Sequence, residues 1–177
     1  MKSSKCVAFL LTIIAFAAPH SLSAGEPQFP RKSLGIIAGY DTRNNSAEAG
    51  IFFQYRPSKL LRIAPDMTYI ARRKGTDALA ININVHFPFA VTKSGRFCLY
   101  PLVGLNYTSW NHQFGKKTRD IAETDDVTRR DNKLGINLGG GADYMITSTL
   151  KLRLEGKWVG TRRVSTGDIS LGIGYAF

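Results

Sequence analysis

The sequence predicts an all-β fold: an eight-stranded antiparallel up-and-down transmembrane β-barrel over residues 33–177. Three observations carry this reading. From residue 33 onward, large apolar residues alternate with small or polar ones at the side-chain period of a strand. Eight such segments follow one another, separated by turn residues, and most are close to the roughly 9–11 residues with which a tilted strand crosses a bilayer. The face opposite the large apolar residues is made of glycine, alanine, asparagine and charge, which suits a narrow polar lumen better than the surface of a soluble sheet.

The first segment, SLGIIAGYD, places Leu34, Ile36, Ala38 and Tyr40 on one face and ends at the polar break TRNNS. The second, AEAGIFFQYR, sets Ala49, Ile51, Phe53 and Tyr55 against Glu48, Gly50, Gln54 and Arg56, and PSK turns the chain. In the third, LLRIAPDMTYIA, Leu61, Ile63, Met67 and Tyr69 stand opposite Arg62, Ala64, Asp66 and Thr68; Pro65 has no N–H to donate, so it calls for a bulge or a locally weakened pairing. The fourth, ALAININVHFPF, alternates most sharply, with Leu79, Ile81, Ile83, Val85 and Phe87 against Ala80, Asn82, Asn84 and His86. After AVTKSG, the fifth, RFCLYPLVGLNYTSW, carries Phe97, Leu99, Val103, Leu105 and Tyr107 on one side. The pattern lapses from about Asn111 to Asn132, a polar stretch longer than any other connection. The sixth, KLGINLGGGADYM, puts Leu134, Ile136, Leu138, Ala142 and Tyr144 against Lys133, Asn137 and Asp143, and ITST turns it into the seventh. There, in LKLRLEGKWVG, Leu150, Leu152, Leu154 and Trp158 oppose Lys151, Arg153, Glu155 and Lys157. The eighth, GDISLGIGYAF, separates Ile169, Leu171, Ile173, Tyr175 and Phe177 from Asp168, Ser170, Gly172, Gly174 and Ala176. Short turns after the even segments and longer loops after the odd ones are the expected arrangement, with residues 111–132 as the longest loop.

The N-terminus reads as an export signal over residues 1–24. Lys2 and Lys5 precede an apolar run from Cys6 to Ala18 that is too short to span a bilayer as a helix, and SLSA offers small residues for cleavage after Ala24, or alternatively after Ser23. Residues 25–32 then form a short periplasmic lead-in. Cleavage leaves Cys98 as the single cysteine, which excludes an intrachain disulfide, and takes the formal charge from +11 to +9 by removing two lysines. In an exported protein this basic surplus points to lipopolysaccharide phosphates or a balance inside the barrel, and away from nucleic acid.

Sidedness follows from the small face. With apolar residues inward, the outside would display Ala80, Asn82, Gly135, Gly139, Gly141, Gly172 and Gly174, too little charge for a soluble surface and too much glycine for a stable strand. Reversed, the small residues admit bulkier neighbours in the lumen, and Arg62, Asp66, Asp143, Lys151, Arg153, Glu155, Lys157 and Asp168 face inward, where isolated charges are costly and pairing is required. Aromatic residues near segment ends then form interface girdles: Tyr40, Tyr55, Tyr69, Phe87, Phe97, Tyr107, Trp110, Tyr144, Trp158 and Tyr175.

The signal, the eight alternating segments and the final ISLGIGYAF together resemble the small outer-membrane barrels of the OmpA transmembrane-domain, OmpX and opacity-protein type. The resemblance covers the whole mature chain and is one of pattern. It implies an outer-membrane location amid lipid and lipopolysaccharide, and recognition of the terminal aromatics Tyr175 and Phe177 by the barrel-assembly machinery. Unlike full-length OmpA, the sequence carries no peptidoglycan-binding domain after the barrel.

Chemistry is sparse. Of the mature histidines, His86 points into the lumen with no serine two residues away on its face, and His112 falls in the polar stretch, where it reads as solvated. No Ser–His–acid set is assembled and the lipid A deacylase pattern of small barrels is missing, so no enzyme activity is expected. Glu123, Asp125 and Asp126 lack the spacing of a calcium loop, GGGAD at 139–143 lacks the lysine–hydroxyl pair of a phosphate loop, and no cofactor is implied. The long loop remains, with Lys116, Lys117, Arg119, Arg129 and Arg130 set among as many acids, as the candidate extracellular binding element. A structural or surface-interaction role (envelope integrity, adhesion or ligand binding) is the expected function; a narrow passive pore and a lipid A-modifying enzyme are the alternatives.

Overall fold

The computed structural model describes residues 30–114, 127–161 and 165–177, so the expected signal at 1–24 lies outside the described residues. The strands are β1 (Lys32–Asp41), β2 (Ser46–Tyr55), β3 (Arg62–Arg73), β4 (Thr76–His86), β5 (Phe89–Ala90), β6 (Phe97–Phe114), β7 (Val127–Met145), β8 (Leu150–Thr161) and β9 (Ser165–Ala176). Each pairs antiparallel with its neighbours, β1 with β9, and β4 with β6, so the sheet closes on itself. The two-residue β5 continues β4 in one register, His86 facing Leu102 and Phe89 facing Leu99, across Pro88, which has no N–H to donate. Nine segments therefore make eight staves, the expected up-and-down barrel.

Closure leaves no sheet edge along the wall, the condition for strands to cross hydrocarbon. The sidedness is the one required in lipid. Ile81, Leu152 and Ile173 are exposed on the outside, whereas Asn82 and Arg153 are each 1% exposed within. At Pro65 the β2–β3 ladder keeps its register from Phe52–Asp66 to Tyr55–Ile63 with no pairs between, a weakened pairing rather than a bulge.

Three expectations are corrected. Trp110 is not a girdle residue: it has the parity of the buried Asn106 and Thr108, and it packs inside with Ile70 and Ala78. The polar stretch 111–132 is not all loop, because the β6–β7 ladder continues through Asn111–Arg130 to Phe114–Val127. His112 accordingly sits on a strand, half-buried, with Nδ1 3.0 Å from the Thr76 hydroxyl. The turns after odd segments are also tight in two cases. Asp41 Oδ1 accepts the Asn44 N–H at 2.7 Å in one, and Lys74 and Gly75, at φ 52° and 77°, make the two-residue turn that suits a twisted hairpin in the other. Only β6 and β7, at 18 and 19 residues, rise well past their neighbours. Among the described residues, β7 pairs with β8 from Gly135 to Met145.

Glycines seat the large inward rings. A Cβ on Gly35, Gly172 or Gly174 would come within 2.7, 3.1 or 2.9 Å of the Phe52 ring, and one on Gly141 within 2.5 Å of Tyr100 Cζ and 2.6 Å of the Leu154 carbonyl. Gly156, on the outer face, meets nothing within 4 Å. Gly141→Ala is therefore expected to lower stability by about 1–3 kcal/mol through overpacking, and Gly156→Ala to change it by less than about 0.5 kcal/mol. Urea unfolding of the refolded barrels compares the two, and equal costs would contradict this seating.

Candidate functional site

The interior is stacked in layers from the end where β1 begins and β9 finishes to the end from which β6 and β7 project. In the lowest layer, Arg62 on β3 bonds Asp143 on β7, and Lys151 on β8 lies 3.7 Å from the same carboxylate. Lys151 also donates to Gln54 Oε1 on β2, which accepts the Ser33 hydroxyl at 3.2 Å.

Above it, Arg153 donates through Nε to Glu155 at 3.0 Å, and Tyr100 donates its hydroxyl to the same carboxylate at 3.1 Å. His86 stacks on Tyr100 with centroids 4.4 Å apart. Its Nδ1 receives Arg62 Nε at 3.3 Å, which makes that nitrogen the acceptor and leaves the proton on Nε2, 3.7 Å from Glu155. Arg153 lies over the Phe52 ring at 4.8 Å. This layer is wholly buried and joins side chains from β2, β4, β6 and β8.

Asp66 accepts Asn82 and Asn84 at 2.6 and 3.0 Å, and Asn137 bridges both of those amides from β7 at 2.9 and 2.8 Å. Asn106 joins Asn82 at 2.8 Å. Higher still, Lys157 lies 3.2 Å from Asp168 and 3.7 Å from Asp66. Asp41, Glu48 and Asp168 then line a small pocket at the projecting end. The structure thus brings Arg62, Asp66, Asp143, Lys151, Arg153, Glu155, Lys157 and Asp168 into one buried set of pairs. Charge is segregated along the axis: the lowest layer holds two cations against Asp143, and the uppermost three acids against Lys157.

Sequence reasoning missed Tyr100, Phe52 and Asn106 as members of this set. Strand parity alone could have placed them, because each falls two residues from an inward neighbour: Cys98, Gln54 and Thr108.

Around the projecting rim, Arg43, Arg73, Lys74, Arg129 and Arg130 are exposed, and Asp131 is paired with Lys133 at 2.9 Å. Lys116, Lys117 and Arg119 lie outside the described residues. At the opposite end Tyr175 and Phe177 stack on the outer face with centroids 6.2 Å apart, and Phe177 is fixed to Lys32 by backbone bonds of 2.9 and 3.0 Å. Among the described residues, no serine is hydrogen-bonded to His86, and no group of His, Cys, Asp and Glu is placed to hold a metal ion.

Residues 8–177 match the family model described as the outer membrane protein beta-barrel domain. Among solved structures, the N-terminal β-barrel domain of Pseudomonas aeruginosa OprF is similar at TM-score 0.58 and 15% identity, over 84% of this chain and 99% of that one. Neisserial surface protein A (NspA) is similar at 0.61 and 15%, over 82% and 96%. Ail, the attachment invasion locus protein of Yersinia pestis, solved in complex with the heparin analogue sucrose octasulfate, is similar at 0.54 and 13%, over 82% and 96%. At these identities the likeness is one of fold. No curated protein matches the sequence.

Proposed function

The chain belongs to the outer membrane protein beta-barrel domain family, and on that premise we propose that it is a closed, non-catalytic barrel that binds anionic glycans at the cell surface through the β6–β7 hairpin and its cationic rim. The projecting hairpin carries the reading. β6 and β7 outrun the other strands, and Arg129 and Arg130 stand exposed on the projecting part of β7. Arg43, Arg73 and Lys74 are exposed on the neighbouring turns, and the half-exposed Asp131 is already paired with Lys133. Guanidinium forks suit sulfate and phosphate groups. Ail, solved with a heparin analogue, supports this choice of ligand class by analogy of fold.

A pore is disfavoured because the Tyr100–His86–Glu155–Arg153 layer occupies the lumen. Catalysis is disfavoured because His86 is spent on Arg62 and Tyr100, with no nucleophile beside it. Outer-membrane lipid and lipopolysaccharide surround the wall, and Tyr175 and Phe177 present a terminal aromatic pair to the assembly machinery.

The test is binding of a sulfated polysaccharide to the barrel in nanodiscs. Arg129→Ala with Arg130→Ala is expected to weaken binding about tenfold at low salt, and added salt to erase the difference by screening. Deleting residues 113–130 is expected to abolish binding while the heat-modifiable gel shift of the folded barrel persists. Unchanged affinity in both variants would sink the proposal.

A further inference from the structure

The turns at the end opposite the hairpin carry a charge that the surface reading does not use. Arg31 and Lys32 at the start of β1, Lys59 in the β2–β3 turn, and Lys93 and Arg96 in the β5–β6 turn are all exposed. Among the described residues, no aspartate or glutamate stands on these segments or on the β7–β8 turn, residues 146–149. Asp143, the acid of the lowest lumen layer, is fully buried and already bonded to Arg62. Among the described residues, this end thus presents cations with no exposed acid side chain beside them.

Their height along the wall decides the partner. Lys32 has the outward parity of Leu34 and Ile36, stands across from Tyr55 on β2, and is tied to Phe177 by two backbone bonds. Tyr55 and Phe177 are exposed on the outer face, so this lysine is set inside the aromatic girdle itself. Phe87, Phe89 and Val91 lead along the outer wall into the β5–β6 turn. There the Gly95 N–H donates to the Thr92 carbonyl at 2.9 Å, and Thr92 Oγ1 accepts the Phe97 N–H at 3.3 Å. The turn is held by its own bonds, and it carries Lys93 and Arg96 just beyond the apolar wall. In the β2–β3 turn, Leu60 beside Lys59 is 77% exposed, the greatest exposure of any large apolar side chain among the described residues. An apolar body next to a cation suits the boundary between acyl chains and headgroups, where the stem lies on hydrocarbon and the charge reaches the phosphates. A soluble acidic protein would have to displace the headgroups to reach Lys32.

We propose that these turns form a collar for acidic phospholipids, with Lys32, Lys93 and Arg96 each holding the phosphate of an anionic headgroup in the leaflet around this end. A zwitterionic headgroup brings its own ammonium beside its phosphate and gains little from a cluster of cations. A headgroup of net negative charge gains about fivefold in association for each lysine or arginine at the surface. The collar requires only that the wall lies in a bilayer, whatever the hairpin binds.

The experiment places the full barrel in phosphatidylcholine vesicles doped with spin-labelled phosphatidylglycerol or spin-labelled phosphatidylcholine, and reads the fraction of each probe immobilised by the protein. The charged probe is expected to be preferred about twofold or more, averaged over all lipid positions on the wall, and added salt to reduce the preference by screening. Lys32→Gln, Lys93→Gln and Arg96→Gln combined are expected to remove about half of the preference or more. Arg129→Ala with Arg130→Ala takes away charge beyond the bilayer and is expected to keep the preference even where polysaccharide binding is lost. Equal immobilisation of the two probes by the unaltered barrel overturns the collar and leaves these cations to a soluble acidic partner. An undiminished preference in the triple variant overturns it as well, and so does an equal loss in the hairpin variant, which would make net charge the cause. Lys93→Gln alone changes one exposed turn position and serves if the triple variant does not refold: it is expected to lower the preference, and no change in it counts against the collar.

Discussion

Replacing Arg153 by methionine is expected to destabilise the refolded barrel by about 3–5 kcal/mol, the largest loss anticipated for any single lumen side chain, because it strands a buried carboxylate. Glu155 is 1% exposed and is held by Arg153, by the Tyr100 hydroxyl at 3.1 Å and by the neutral His86 nearby. Methionine keeps the contact with the Phe52 ring that the guanidinium made at 4.8 Å, so the loss isolates the charge. The companion variant carries Glu155→Gln as well. Glutamine leaves an acceptor for Tyr100 but removes the negative charge, and the double variant is expected to regain about 2 kcal/mol or more of the single variant's loss. Urea unfolding in phospholipid vesicles, followed by tryptophan fluorescence, measures both. Costs that simply add would mean the two groups are uncoupled and the lumen pairs are not a network.

The same pair shows what the sequence discloses. That Arg153 and Glu155 face inward together was legible from the alternation in LKLRLEGKWVG, because a wall bounded by lipid permits no exception to period two without exposing a charge to hydrocarbon. That Arg62 rather than Lys157 meets Asp143 was not, since it depends on which strand ends lie at one height across the lumen. Trp110 was misplaced for a related reason. An aromatic near a segment end suggests the girdle by composition, but its parity with Thr108 sends it inside, and parity prevails because a strand cannot turn one side chain over without a bulge. The hairpin was underestimated because the lipid pattern stops at the membrane surface. Beyond it, Asn111 and Arg130 still pair through the backbone, which leaves no mark on side-chain polarity. That Lys151 fixes the amide of Gln54, 97 residues away in the chain, was illegible altogether.

Leu171→Arg tests the outer wall as Arg153 tests the inner one. Leu171 is 63% exposed, midway along β9, between Ala38 on β1 and Leu154 on β8, so its surroundings are hydrocarbon if the barrel spans the membrane. There an arginine costs about 2–4 kcal/mol at mid-depth, falling to about 0–1 kcal/mol near the interface. Tyr175, on the same face of the same strand and 59% exposed, lies near the chain terminus at the girdle, and Tyr175→Arg is expected to fall at the low end of that range. Were this face bathed in water, both substitutions would stay within about 0.5 kcal/mol, as surface changes do. The decisive quantity is therefore the difference between the two variants, read from unfolding in vesicles of one composition. A difference near zero would take the large aliphatic side chains out of the bilayer. The glycines, ions and amides of the interior would then lose the reason for which they face one another.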